Sequence, residues 1–256
     1  MTNLSTGFFG HPKGLQTLFV TEMWERMSYY GMRMLLVLFM TATLQDGGLG
    51  LTVASAAAIY GLYTGSVYFM GLPGGWISDR LLGGQKSVWY GGIIIMIGHI
   101  ILAIPSDSSF FIGLIVVILG TGLLKPNIGA MVGQLYSEKD VRRDSGYAIY
   151  YMGINLGSFI GYGICGYLME NVGWHWAFGA AAVGMALGLI QYKLTTPNLE
   201  GVGAEPVYPM SAKAQKTSWT IIGTVLAGIA LITVLVFQGV IVVDAVSVAQ
   251  YVAIAF

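Results

Sequence analysis

Cysteine and charge are what this chain has least of. Its one cysteine, Cys165, cannot form an internal disulfide, and with only three histidines there is no cluster of the kind that holds a metal. Asp, Glu, Lys and Arg together make up 9% of the 256 residues, against about 25% in soluble domains. Positive and negative charges cancel, so no basic face points to nucleic acid. No strand-then-glycine-loop unit suggests a nucleotide, and no nucleophile–base pair suggests an enzyme. No cofactor is implied. Alternating ten-residue strands are missing as well, which leaves helices as the way to cross a bilayer. Residues 1–14 are short, polar and turn-rich, unlike a cleavable signal.

Apolar residues fill 55% of the chain, and mean hydropathy is +0.72. The 37 glycines, about twice the usual share, suit membrane helices that pack through small side chains. Seven apolar runs are long enough to span: Leu15–Leu44, Val53–Ile77, Val88–Ile104, Phe110–Leu135, Gly146–Met169, Ala177–Leu194 and Trp219–Val243. Lysine and arginine then set an orientation. Lys13, Arg80, Lys86, Lys139, Arg142, Arg143, Lys193, Lys213 and Lys216 fall before the first span or after the second, fourth and sixth. The loops after the first, third and fifth spans, near Asp46, Asp107 and Glu170, carry none. The positive-inside rule puts the N-terminus and the lysine-bearing loops in the cytoplasm.

Residues 195–218 hold Pro197, Pro206 and Pro209 with several glycines and charges, which reads as a polar cytoplasmic linker. The predicted organisation is an all-α integral membrane protein. Residues 1–194 form a six-helix bundle, residues 195–218 a linker, and residues 219–256 a further membrane helix and the start of another. Such an order suggests a two-bundle transporter whose C-terminal bundle is not in this sequence.

The chemistry concentrates in the first span. Glu22, Arg26, Tyr29 and Arg33 fall within roughly 60° of one another on a helix, with Glu25 at the edge. A charge at mid-bilayer costs about 2.5–3.5 kcal/mol even on the lenient scale, so such residues face a protein interior or water and partner one another. Lys125 in the fourth span, beside Pro126 and Asn127, suggests a kink next to a wet cavity. Two carboxylates then meet three cations, Arg26, Arg33 and Lys125. The surplus positive charge invites an anionic ligand group or a further carboxylate. Lysine titrates readily when desolvated, so Lys125 beside a carboxylate is a natural proton-coupling pair, and arginine is the better carboxylate clamp. The blander alternative is that Glu22, Glu25 and Arg26 only neutralise one another and hold helices together.

Tyr29, Tyr30, Tyr60, Tyr63, Tyr68 and a buried Asn155 are candidate polar contacts across the cavity, each taken singly more suited to packing. Gly153, Gly157 and Gly161 recur every four residues and predict a close-packing helix face. His99 reads as a satisfied core histidine, and His175, between Trp174 and Trp176, as part of an interfacial aromatic belt.

The run Glu22-x-x-Glu25-Arg26-Met27-Ser28-Tyr29-Tyr30-Gly31 resembles the first-span motif of the proton-dependent oligopeptide transporter family, with Met27 where phenylalanine is usual. Tyr150–Ser158 resembles that family's fifth-span signature. Gly75–Arg80 with Gly83, Gly84 and Lys86 resembles the loop motif of the wider major facilitator superfamily. The resemblance implies a proton-driven symporter of di- and tripeptides in the bacterial inner membrane. It makes Glu22, Glu25, Arg26 and Lys125 the proton-coupling set, and Arg33, Tyr29, Tyr30, Tyr68 and Asn155 the substrate contacts. Protons, peptide, lipid and a C-terminal bundle are the implied partners. Gly61 stands where animal members carry histidine, so a histidine-dependent proton step does not apply. Another solute on the same fold (nitrate, an amino acid or a drug) and a non-transporting peptide receptor are the alternatives.

Overall fold

The computed structural model describes residues 6–255. A small hairpin opens it, β1 (Thr6–Phe8) against β2 (His11–Pro12). Phe9 and Gly10 supply the positive φ of its turn, at 53° and 78°. The helices follow: α1 (Lys13–Thr41), α2 (Val53–Phe69), α3 (Gly71–Ile77), α4 (Gly84–Leu102), α5 (Asp107–Gln134), α6 (Arg143–Asn171), α7 (Trp174–Thr195), α8 (Ala212–Phe237) and α9 (Ala245–Ala255). A π turn at Ser78–Leu82 continues α3, and a 3-10 turn at Thr196–Leu199 continues α7. The predicted second span is therefore α2, α3 and the π turn in succession. Among the described residues, five stretches are long and apolar enough to cross a membrane: Val53–Leu82, Gly84–Leu102, Asp107–Gln134, Trp174–Leu199 and Ala212–Phe237. The other two predicted spans, α1 and α6, are as long but more polar, and they pack against each other.

Glycine sets that contact. A Cβ on Gly157 would strike the Met23 carbonyl and sit 3.0 Å from Arg26 Cβ; one on Gly153 would lie 2.9 Å from the Phe19 carbonyl, and one on Gly161 would strike that of Met27. The period-four stripe is thus a close-packing face, and its partner is α1. Two glycines of α7, Gly184 and Gly188, receive Met27 and Trp24 on another side of α1. Gly91, Gly98 and Gly120 bring α4 and α5 together in the same way.

α5 runs unbroken through Pro126. The missing N–H of that proline frees the carbonyl four residues earlier, that of Gly122. This is the atom a Cβ on Gly74 would hit, so α3 closes on the place where α5 lacks a backbone bond.

The apolar core falls into two clusters along α1. Leu15 and Leu18 join Leu124, Ile128, Met131, Leu189 and Leu199 at one end. Met32, Leu36 and Phe39 join Phe110, Val117, Cys165 and Phe178 at the other. Glu22, Glu25 and Arg26 lie between the two.

Hydrogen bonds sort the loops to opposite ends of the bundle. At one end Arg142 Nη1 donates to the Gly10 carbonyl at 2.9 Å, His11 Nδ1 meets the Tyr136 hydroxyl at 2.8 Å, and the Tyr192 hydroxyl donates to the Gln85 carbonyl at 3.1 Å. At the other, Trp174 Nε1 donates to the Asp46 carbonyl at 3.0 Å, tying the α1–α2 loop to the start of α7. Of the aromatic belt predicted around His175, Trp176 is 68% exposed, whereas Trp174 and His175 pack edge-on to Phe39.

The stretch read as an irregular linker is partly helical and docked. α7 and its 3-10 turn carry it to Leu199, and α8 begins at Ala212. In between, the Gln85 amide donates to the Gly203 carbonyl at 2.8 Å, Gln85 Nε2 to the Val202 carbonyl at 2.9 Å, and the Tyr208 amide to the Asp79 carbonyl at 2.8 Å. Arg80 lies over the Tyr208 ring, 5.2 Å from its centroid. Gly83, at φ 81°, lets this strap approach, since a Cβ there would sit 2.9 Å from the Ala204 carbonyl oxygen. The apolar stretch placed at Trp219–Val243 ends as a helix at Phe237, and Asp244 caps α9 through the Val246 and Ser247 amides.

Candidate functional site

The charges of α1 meet at its waist. Arg26 Nε lies 3.0 Å from Glu22 Oε1 and in closer contact with Glu25 Oε2. All three residues are at most 2% exposed. Three charges so removed from water persist only because they offset one another. The triad carries two carboxylates for one guanidinium. Glu25 Oε1 and Arg26 Nη2 have no hydrogen-bond partner among the described residues. The cluster is therefore incomplete as a structural salt bridge, with a buried acceptor and a buried donor still open.

Aromatic residues wall it. The Arg26 guanidinium lies 5.0 Å from the Tyr29 ring centroid and 6.0 Å from that of Tyr30. Arg33, two turns along, lies 5.9 Å from Tyr29 and 5.3 Å from Tyr60, and its Nε donates to the Tyr60 hydroxyl at 2.5 Å. Among the described residues no carboxylate comes within 4.0 Å of Arg33 or Lys125. Both cations are partly exposed and available to an anion.

Lys125 departs from expectation in one respect. It makes no contact with a carboxylate among the described residues. Its Nζ sits instead over the Tyr68 ring, 4.3 Å from the centroid, and it acts on Glu25 only through longer-range electrostatics. Tyr68 itself is 63% exposed, so it is not the deeply placed hydroxyl that its apolar surroundings suggest. Asn155 is exposed on α6, and its Nδ2 donates to the Tyr151 carbonyl of its own helix at 3.1 Å. Of the two partners open to Asn155, another helix or a substrate amine, the first is absent among the described residues. His99 is fully buried, and among the described residues neither ring nitrogen has a hydrogen-bond partner, contrary to the satisfied histidine expected.

Tyr150 joins the site, and Tyr63, a candidate from the sequence, is placed in it. Tyr150 of α6 is 5% exposed and interacts with Glu22. It lies seven residues before Gly157, on the same helix face, so the glycine stripe that docks on Met23 and Arg26 also points to it. Tyr63 of α2 is 3% exposed, its hydroxyl has no partner among the described residues, and it lies within electrostatic range of Tyr29, Glu25 and Arg26. The sequence already sets it beside Tyr60 and Tyr68 among the candidate polar contacts.

The chain that carries this cluster resembles known proteins in sequence and in fold. Residues 85–243 match the profile of the POT family, PTR2. The chain belongs to that family. It is 48% identical over 229 residues to a di-/tripeptide transporter of Lactococcus lactis subsp. cremoris, covering 88% of this chain and 46% of that protein. It is 44% identical over 253 residues to the peptide transporter YePEPT of Yersinia enterocolitica, covering 95% and 49%. A crystal structure of a POT peptide transporter in complex with sulfate superposes with a TM-score of 0.85 at 44% identity, covering 92% of this chain and 48% of that one. A POT family transporter in complex with 5-aminolevulinic acid gives 0.88 at 39% identity, covering 95% and 51%. The chain thus spans about half the length of the curated relatives it matches. As a POT family member with several apolar spanning helices it is an integral membrane protein, and its bundle is of the major facilitator type.

Proposed function

We propose that the full-length protein is a proton-coupled symporter of di- and tripeptides that works by alternating access, and that this chain supplies its N-terminal bundle and the helices that follow. The observation that carries the reading is the buried Glu22–Arg26–Glu25 cluster with an open acceptor and donor, next to Arg33 and Lys125, which lack carboxylate partners among the described residues. A short peptide presents a carboxylate and an ammonium at nearly constant spacing while its side chains vary. Arg33 and Lys125 supply positive charge for the carboxylate, and Tyr29, Tyr30, Tyr60 and Tyr68 an adaptable aromatic wall. The second bundle, residues 1–194 being the first, supplies the partner for the amine. Protonation of Glu22 or Glu25 releases Arg26 from one of its two partners. That ties proton entry to peptide affinity and to conformation, because a ligand shifts an equilibrium only through differential affinity. The loops bearing lysine and arginine, with the N-terminus, lie on the cytoplasmic side of the bacterial inner membrane. The named relatives from Lactococcus and Yersinia support peptide as the substrate class.

The test is competition in proteoliposomes containing the full-length protein. Uptake of a labelled dipeptide under an inward proton gradient should be blocked by unlabelled di- and tripeptides and unaffected by nitrate, free amino acid or a non-peptide drug. Competition by one of those solutes instead, or peptide binding with no accumulation, overturns the reading.

A further inference from the structure

The first turns of α4 and the last turns of α7 enclose a cavity of about 220 Å³ on the outside of the bundle. Gln85, Lys86, Trp89, Tyr90, Tyr192 and Lys193 line it. It is separate from the charge cluster: α4 turns Gly91 and Gly98 toward α5, whereas Gly92 beside them receives Met185 and Leu189 of α7, and the cavity opens at the end of that α4–α7 seam.

We propose that this cavity holds the phosphate headgroup of an anionic phospholipid from the surrounding leaflet. Four features carry the assignment. The lining has two ammonium groups and no carboxylate, and among the described residues neither lysine lies within 4.0 Å of one. The aromatic lining is of the interfacial kind: Tyr90 is 48% exposed, and Trp89 lies beneath Lys193, whose Nζ is 5.4 Å from a ring centroid of its indole. The site is braced, since the Tyr192 hydroxyl donates to the Gln85 carbonyl and the Gln85 side chain to the Val202 carbonyl, so the lysine-bearing turns are held together whether or not a ligand is present. Finally, the outward surfaces leading from it are apolar, with Ile97 and Ile100 exposed on α4 and Ile190 on α7. Acyl chains fit along such surfaces while the headgroup stays at the polar end. Basic pockets between membrane helices select anionic headgroups for these reasons. A cavity smaller than the roughly 300–1,000 Å³ of drug-sized sites suits a headgroup better than a whole ligand.

The experiment is native mass spectrometry of the detergent-solubilised full-length protein titrated with phosphatidylglycerol, phosphatidylcholine, glycerol 1-phosphate or inorganic phosphate. Wild type should retain phosphatidylglycerol in preference to phosphatidylcholine. Lys86→Gln and Lys193→Gln should each weaken retention about fivefold, and together roughly thirtyfold, from the usual worth of a lysine near an anionic lipid. Lys86→Arg and Lys193→Arg should keep it, and a Lys213→Gln/Lys216→Gln control, which removes the same charge from α8, should not change it. The proposal is overturned if the Lys86→Gln/Lys193→Gln protein retains the lipid like wild type or if the α8 control loses as much. It is also overturned if glycerol 1-phosphate or inorganic phosphate displaces the lipid at equal concentration, which would mark a site for soluble anions.

Discussion

Replacing Arg26 by glutamine removes the one cation that both buried carboxylates of α1 contact. The expected loss follows from the geometry. Glu22 Oε1 lies 3.0 Å from Arg26 Nε, Glu25 is closer still, and no other cation comes within 4.0 Å of either acid among the described residues. At an effective dielectric near 20, each such pair is worth about 4 kcal/mol at 4 Å, and removing one partner of a buried pair typically costs about 3–5 kcal/mol. For a protein of this size that lowers Tm by roughly 6–20 °C. Thermal unfolding of the detergent-solubilised protein, followed by tryptophan fluorescence, measures it. Adding Glu25→Gln to Arg26→Gln removes one of the stranded charges, so the double variant should recover at least half of the loss and show a coupling of about 1–3 kcal/mol between the sites. Were Arg26→Gln to melt within about 2 °C of wild type, with the two substitutions additive, the triad would not be energetically coupled and the reasoning would fail.

Gly157→Ala should separate α1 from α6, because the new methyl meets the Met23 carbonyl and Arg26 Cβ; a loss of about 1–3 kcal/mol in thermal unfolding is expected. Tyr60→Phe removes the acceptor of the Arg33 Nε hydrogen bond, a charge-assisted bond worth about 1.5–3 kcal/mol. It should lower the melting temperature of the detergent-solubilised protein by roughly 3–12 °C, and an unchanged melting temperature would show that the bond adds nothing to the fold. Gly83→Ala forces a side chain into φ 81° and against the Ala204 carbonyl, so the strap should detach. Faster limited proteolysis between residues 200 and 211, with the helices left intact, would report it.

Part of this site is legible in the amino-acid sequence because charge is so rare in the chain. Glu22, Glu25, Arg26 and Arg33 stand out in an apolar run, and helical spacing alone puts them on one stripe. Gly153, Gly157 and Gly161 likewise announce a packing face, though not that its partner is α1 or that Tyr150 is carried onto Glu22 with it. Asn155 and Tyr68 read as buried in the sequence and are exposed on this bundle, for a physical reason. A membrane helix is apolar on every side, so the periodicity that separates buried from exposed faces in a water-soluble helix is lost. A polar residue on such a helix then looks buried wherever it points. The docked strap is illegible for a different reason. Its contacts join Gln85 and Asp79 to residues more than 100 positions away, and proline and glycine in the strap advertise only a turn-rich stretch.

The most direct test of the proposed proton-coupling network pairs two measurements on one variant, Lys125→Ala in the full-length protein reconstituted into liposomes. The account predicts that peptide-for-peptide exchange persists while accumulation driven by a proton gradient is lost. Concentrative uptake by Lys125→Ala, with protons still moving alongside the peptide, would contradict it.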